Sequence, residues 1–160
     1  MMTEKLQQVL NEQVTAELWS ANLYLSMSFY LEREGYTGFA AWMKRQSQEE
    51  TEHAYAIANH IMKRGGIAKV DKIDVVPTGF GTPLEIFQHA YEHECHVSKM
   101  IDLLITIAAS EKDNSTQDFL WSFVREQVEE ESTLQCIVDR LKRAGDNGLL
   151  FLDAQLGQRK

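Results

Sequence analysis

The chain has 160 residues and is 44% apolar, enough for one domain over residues 1–160 with a real core and too apolar for disorder. Its net charge of −8 excludes the basic stripe of a nucleic-acid binder and is compatible with attracting cations. Cys95 and Cys136 form no disulfide framework and no Cys-x-x-Cys metal motif, and neither a signal core nor a membrane-length apolar run is present, so a reducing cytoplasm and no membrane partner are expected.

From about Thr3 to Glu34 the apolar pattern is helical. Leu10, Val14, Glu17, Ala21, Tyr24, Ser28 and Leu31 step by four and three, so Glu17 interrupts an inward stripe. Gly35 and Gly38 are expected to close this segment. A second helix follows from Thr37 to Arg64, with basic residues and then Gly65-Gly66 as its stop. Its stripe is Phe39, Met43, Gln46, Glu50, His53, Ile57, His60 and Arg64. Glu50 and His53 stand three apart and leave one face of that helix together. A solvated acidic face is the bland reading of the run from Gln48 to His53.

Between Gly66 and Thr82 the pattern dissolves. The segment is long for a connection and, extended, reaches roughly 50 Å. That predicts one crossover travelling the length of a bundle; an isolated strand over Val70–Val76 is the alternative. Thr82-Pro83-Leu84-Glu85 then reads as a capped helix start. The third helix runs to about Ser110 with the stripe Leu84, Phe87, Tyr91, Glu94, Ser98, Ile101, Ile105 and Ala108, interrupted by Glu94. After a polar turn at Glu111–Ser115 the fourth runs to about Ala144, its stripe carrying Leu120, Val124, Gln127, Glu130, Leu134, Ile137 and Leu141. Gly148–Leu156 is too short to be stable alone; it either folds back on its own bundle or is buried against another subunit.

The two halves register at a constant offset: Glu17 falls on Glu94, Glu50 on Gln127 and His53 on Glu130. In a four-helix bundle these six residues can converge at mid-height. Buried and unpaired, such acids would cost several kcal/mol each or take up protons. Several hard oxygens with one imidazole suit a pair of iron or manganese ions, and no thiolate is offered for structural zinc. One Glu from each of two helices, with paired ligands from the other two, is the di-metal carboxylate arrangement.

The sequence resembles bacterial non-haem ferritin over essentially its whole length. The shared pieces are Asn11-Glu12-Gln13 ahead of Glu17, Tyr24, Gln48-Glu49-Glu50-x-x-His53, Tyr91-x-His93-Glu94 and Glu126-Gln127-x-x-Glu130. The resemblance implies an all-α, ferritin-like four-helix bundle of the up-and-down kind, with one long crossover and a short C-terminal fifth helix. It implies a di-iron ferroxidase centre in which Glu17, Glu50 and His53 bind the first iron and Glu50, Glu94 and Glu130 the second. Glu50 would bridge, and Gln127 would bind weakly or orient dioxygen. A third iron site would use Glu49, Glu126, Glu129 and Glu130, with a charged helix surface as the alternative for Glu126, Glu129 and Glu131. Tyr24 would supply an electron or hydrogen-bond a ligand, with core packing as its alternative.

The resemblance further implies a homo-oligomeric shell of twenty-four subunits that takes up Fe(II), oxidises it with dioxygen or peroxide and stores the ferric mineral. The segment from Leu149 to Leu156 would lie near a fourfold axis. The haem-ligand methionine of bacterioferritins is Thr51 here, so no haem is expected. Bacterioferritins and rubrerythrins carry Glu-x-x-His in the fourth helix where this chain has Gln127-x-x-Glu130. The paired pore acids of animal ferritins correspond to Asp118 and Trp121, so that uptake route does not carry over. His60, His89, His93 and His96 are read as surface or packing residues, and both cysteines as ordinary thiols. Two rivals remain: a di-iron peroxidase or oxygenase of the rubrerythrin type, which lacks its Cys-x-x-Cys module here, and a DNA-protecting mini-ferritin, for which the only basic tail is Arg159-Lys160.

Overall fold

Each helix begins where a side chain can satisfy its first free amides. In the computed structural model, which describes residues 1–160, Thr3 accepts from the Leu6 amide and opens α1, Glu4–Arg33. Gly35 turns the chain with φ 88°, a left-handed value that costs glycine little, into α2, Thr37–Lys63. Thr82 and Glu85 form a reciprocal capping box, with Pro83 at the first helical position, at the start of α3, Pro83–Ser110. Asp113 caps α4, Asn114–Arg143, through the Thr116 amide at 2.9 Å. The same carboxylate takes Arg64 at 2.6 Å, which ties the end of α2 to the α3–α4 turn. A fifth helix, α5, covers Asp146–Leu156.

The core is two apolar clusters with a polar layer between them. One gathers Leu23, Met27, Leu31, Phe39, Met43, Phe87, Ala90, Leu134 and Leu141. The other gathers Leu6, Leu10, Val14, Ile57, Ile61, Val97, Ile101, Leu120 and Phe123. Every long helix passes through both, and its inward polar residues fall in the gap. Helices α1 and α4 leave the second cluster for the first, whereas α2 and α3 run the other way. The direction order is therefore up-down-down-up, not the simple alternation of an up-and-down bundle.

The 66–82 crossover makes this order possible, and it contains no strand. It travels along α1. Asn11 grips its start, donating to the Ile67 carbonyl at 2.9 Å and accepting from the Lys69 amide at 2.7 Å. Ser26 donates to the Pro77 carbonyl, and the Tyr30 hydroxyl accepts from the Gly81 amide near its end. Those grips lie about 30 Å apart along the helix at 1.5 Å per residue.

The inward stripes of α1 and α2 lie where expected, with every α1 stripe residue buried. On α3 the buried face is rotated. It is centred on Ile86, Ala90, Val97 and Leu104, and Leu84, Tyr91, Ser98 and Ile105 sit at its edge. The heptad-like reading runs along one border of an apolar arc wider than a two-position stripe.

Gly38 does not close α1. It lies inside α2, and a Cβ there would stand 1.7 Å from the Asp153 carbonyl oxygen. The α5 backbone crosses α2 at that point, and Asp153 also accepts from the Phe39 amide at 2.9 Å. The tail folds back on its own bundle through Leu152 and Leu156, while Leu150 and Phe151 point outward. No helix is long and apolar enough to cross a membrane.

Candidate metal centre

All four long helices deliver a polar side chain into the layer between the two apolar clusters. Glu17 comes from α1, Glu50 and His53 from α2, Glu94 from α3 and Gln127 from α4, all buried. Glu130 of α4 is half-buried at the edge.

Glu17, Glu50 and His53 form the tightest group, with one ligand atom of each within 4.8 Å of the others. His53 Nδ1 lies 3.4 Å from Glu50 Oε2 and 3.8 Å from Glu17 Oε2. The other oxygen of each acid is accounted for: Gln13 donates to Glu17 at 3.1 Å and Gln46 to Glu50 at 3.4 Å. Both Oε2 atoms are buried with no hydrogen-bond partner. Native interiors rarely leave a charged oxygen unmatched, because each costs more than 1 kcal/mol unless a proton or an ion meets it. Two orphaned carboxylate oxygens converging on an imidazole nitrogen therefore fit a hard cation accepting two oxygens and one nitrogen.

The far side of His53 is also organised. Its Nε2 lies 2.8 Å from Glu126 Oε1, which leaves Nδ1 facing the two orphaned oxygens. A carboxylate behind a histidine sets the ring's angle and raises its basicity as a ligand. Glu126, one of the acids expected at a third iron site, is thus engaged as the outer partner of His53. The other acids expected there are dispersed. Glu49 is bound by Arg159, Glu129 is exposed, and Glu130 accepts from Gln46 at 2.9 Å. Glu17, Glu50 and His53 are the one group of three or more acidic, imidazole or thiol side chains whose ligand atoms lie close enough to share an ion.

Glu94 faces the pair from α3. The Tyr24 hydroxyl donates to its Oε1 at 2.5 Å, and Gln127 donates to its Oε2 at 3.0 Å. Gln127 also reaches the Glu94 carbonyl and the Ser98 hydroxyl, so its amide is held in one orientation.

Proton affinities record the crowding. Burial raises Glu94 to about 7 against hydrogen bonds from Tyr24 and Gln127 that oppose it. Burial likewise lifts Glu50 well above the usual carboxylate range, with Glu17 and Glu94 adding to the rise. Burial opposes a charge on His53, yet Glu126, Glu17 and Glu50 overcome it and hold the ring protonated far above its ordinary value. Without a metal, the group keeps protons where an ion would otherwise sit. Burial and the Glu94 and Glu50 charges together hold the Tyr24 phenol neutral.

Among the remaining histidines, His93 is a packing residue. It pairs with the Ser20 hydroxyl at 2.8 Å and sits against Trp19 and Tyr24, and burial lowers its pKa to about 4. His60 stacks on Phe119. Cys95 is more engaged than an ordinary thiol, donating to Glu131, which also accepts from Ser98. Gln13 and Gln46 lie outside the ligand set expected from the sequence. Their signal is visible in the chain, since each precedes its acid by four positions, one helical turn.

A four-helix bundle with one long crossover, enclosing carboxylates and an imidazole in metal-ligand geometry, is a narrow class of protein. Residues 7–144 match the family model of the ferritin-like domain. The chain is 72% identical over 159 residues to the bacterial non-heme ferritin of Bacteroides fragilis strain 638R, covering 99% of this chain and 100% of that one. It is 33% identical over 155 residues to the bacterial non-heme ferritin of Campylobacter jejuni, covering 96% and 93%. Among solved structures, an open-pore ferritin from the archaeon Archaeoglobus fulgidus superposes with a TM-score of 0.98 at 42% identity, covering 100% of both chains. The chain belongs to the ferritin family, and its similarity is to the bacterial non-heme members.

Proposed function

We propose that this protein stores iron and is a ferroxidase, with ferrous ions as the substrate of the buried site. The observation that carries this reading is the pair of orphaned oxygens on Glu17 and Glu50 facing His53 Nδ1. Glu17, Glu50 and His53 hold the first ion. Glu50, Glu94 and Glu130 hold the second, with Glu50 shared between them. Gln127 binds weakly or orients the oxidant, and Tyr24 keeps Glu94 in place. Each ferrous ion gives one electron to dioxygen or peroxide, and the ferric product leaves as a hydrated oxide.

The protein's share of the work is ligand geometry and exclusion of water. Before an ion binds, the site must release protons from Glu50, Glu94 and His53, so loading is favoured by higher pH. Glu126 then keeps the lone pair of Nδ1 on the ion by accepting a hydrogen bond from Nε2–H. Glu49, Glu126, Glu129 and Glu130 form the further site only after Glu49 exchanges Arg159, and Glu126 exchanges His53, for the ion. The assembled form is a shell of twenty-four subunits; the ferritin relatives support this reading, and the outward Leu150 and Phe151 of α5 are available for a subunit contact.

The test is Glu50→Ala and, separately, His53→Ala. Each is expected to slow ferrous oxidation by about a hundredfold or more while leaving assembly intact, since an outer partner alone is worth ten- to a hundredfold. Oxidation at the parent rate in either variant refutes the assignment of the site.

A further inference from the structure

The C-terminal tail brings a cation back to α2 beside the centre. Arg159 lies just beyond α5, and its guanidinium reaches back across the sequence onto α2. One nitrogen, Nη2, sits 2.9 Å from both Glu49 Oε2 and Gln46 Oε1, and Nη1 donates to the Trp42 carbonyl at 3.1 Å. The guanidinium carbon lies 4.2 Å from the centroid of the Trp42 ring. These contacts use both terminal nitrogens and one face of a rigid planar group, which is the geometry arginine holds and lysine does not.

The contact continues inward. Gln46 is fully buried. Because its oxygen accepts from Arg159, its amide nitrogen must face the other way, and there it donates to Glu50 and Glu130. Arg159 is thus one side chain removed from two of the acids assigned to the second ion, and in direct contact with Glu49. The simple alternative is an anchor: stacking on Trp42 would hold the tail down whatever the charge.

We propose that Arg159 is a tethered counter-cation that occupies Glu49 and competes with a metal ion for the α2–α4 edge of the centre. This rests on the ferroxidase reading above and deepens it. A guanidinium stays charged at any working pH, so Arg159 holds Glu49 whatever the pH, closer than Arg45 at 3.8 Å from the other oxygen, and repels a dication approaching Glu130. An ion passing from the buried pair toward this edge must displace Arg159 from Glu49. Stacking on Trp42 and the Trp42 carbonyl keep the arginine close enough to return. The tail therefore limits how many ions the centre holds at once, and its release frees Glu49 for the further site proposed above.

The test uses the intact, assembled protein and zinc, which binds oxygen and nitrogen ligands without redox chemistry. Calorimetric titration of the metal-free parent is compared with Arg159→Gln, Glu49→Gln and the double variant. Glutamine at 159 keeps much of the packing on Trp42 and loses the charge. Arg159→Gln is expected to bind about one further zinc ion per subunit, or to bind the weakest ion about tenfold tighter. The double variant is expected to lose that gain, because Glu49 is the ligand released. Superimposable isotherms for parent and Arg159→Gln overturn the proposal, as does a gain that survives in the double variant. A pure anchor shifts the melting temperature or the protease sensitivity of the tail and leaves the isotherm unchanged. Should the parent bind no zinc that is lost on Glu17→Ala, both this proposal and the ferroxidase reading fall; loss on Glu17→Ala with no effect of Arg159 leaves the latter standing alone.

Discussion

Glu94→Gln is expected to stabilise the metal-free protein while weakening its hold on metal. Burial sets the carboxyl of Glu94 at about 7, against its usual 4.5. Its folded-state value is raised, so between those two values the folded protein holds a proton that the unfolded chain has released. Stability in that window falls as pH rises. Each pH unit of the gap is worth about 1.4 kcal/mol, which gives a penalty of about 3 kcal/mol at pH 8 and about 1 kcal/mol at pH 5. Glutamine removes the charge. It keeps an oxygen for the Tyr24 hydroxyl, but its amide nitrogen then faces the Gln127 amide that had donated to Glu94. Losing that hydrogen bond costs about 1 kcal/mol at either pH. The net expectation is a gain of about 2 kcal/mol at pH 8 and almost nothing at pH 5. His53 adds to the same trend, because above its ordinary 6.5 the unfolded chain releases a proton that the folded protein keeps. The quantity to read is therefore the difference between variant and parent. Urea unfolding in the presence of a chelator, at pH 5 and pH 8, measures it. Added zinc should then stabilise the parent more than the variant. A variant less stable than the parent at pH 8, or a difference independent of pH, refutes the reasoning.

Three further perturbations probe the same structure. Glu126→Ala removes the acceptor behind His53 and should weaken metal binding by about ten- to a hundredfold without unfolding the protein, read by zinc titration; an unchanged affinity would show that the ring is held by other contacts. Gly38→Ala places a methyl group into the Asp153 carbonyl, so α5 must shift or detach at a cost of about 2 kcal/mol or more, seen as a lower melting temperature and faster proteolysis after Ala144; a melt identical to the parent's would contradict the crossing of α2 and α5. Tyr24→Phe leaves Glu94 Oε1 without its donor and should raise the Glu94 pKa further, moving the onset of metal binding to higher pH; a pH profile that does not move would separate Tyr24 from the centre.

The chain's periodicity was enough to place four long helices, because an apolar step of three and four is a local property of the backbone. It was enough to mark Glu17, Glu50, His53, Glu94, Gln127 and Glu130 as polar interruptions of inward faces, and the length of the 66–82 segment foretold a crossover along the bundle. Which oxygen of Glu17 or Glu50 lacks a partner was not legible, since that depends on Gln13 and Gln46 taking the other one. The turned face of α3 depends on how wide an arc its neighbours cover, which no single helix records. Gly38 reads as a helix breaker until the backbone of α5, more than a hundred residues later, is seen to need the space. Glu126 behind His53 and Arg159 against Glu49 belong to the same kind. The first pair joins two helices and the second a helix to the tail, across separations that leave no periodic trace in the sequence. Such contacts are decided when the helices pack, because hydrogen bonds act over about 3 Å in space whatever the distance along the chain.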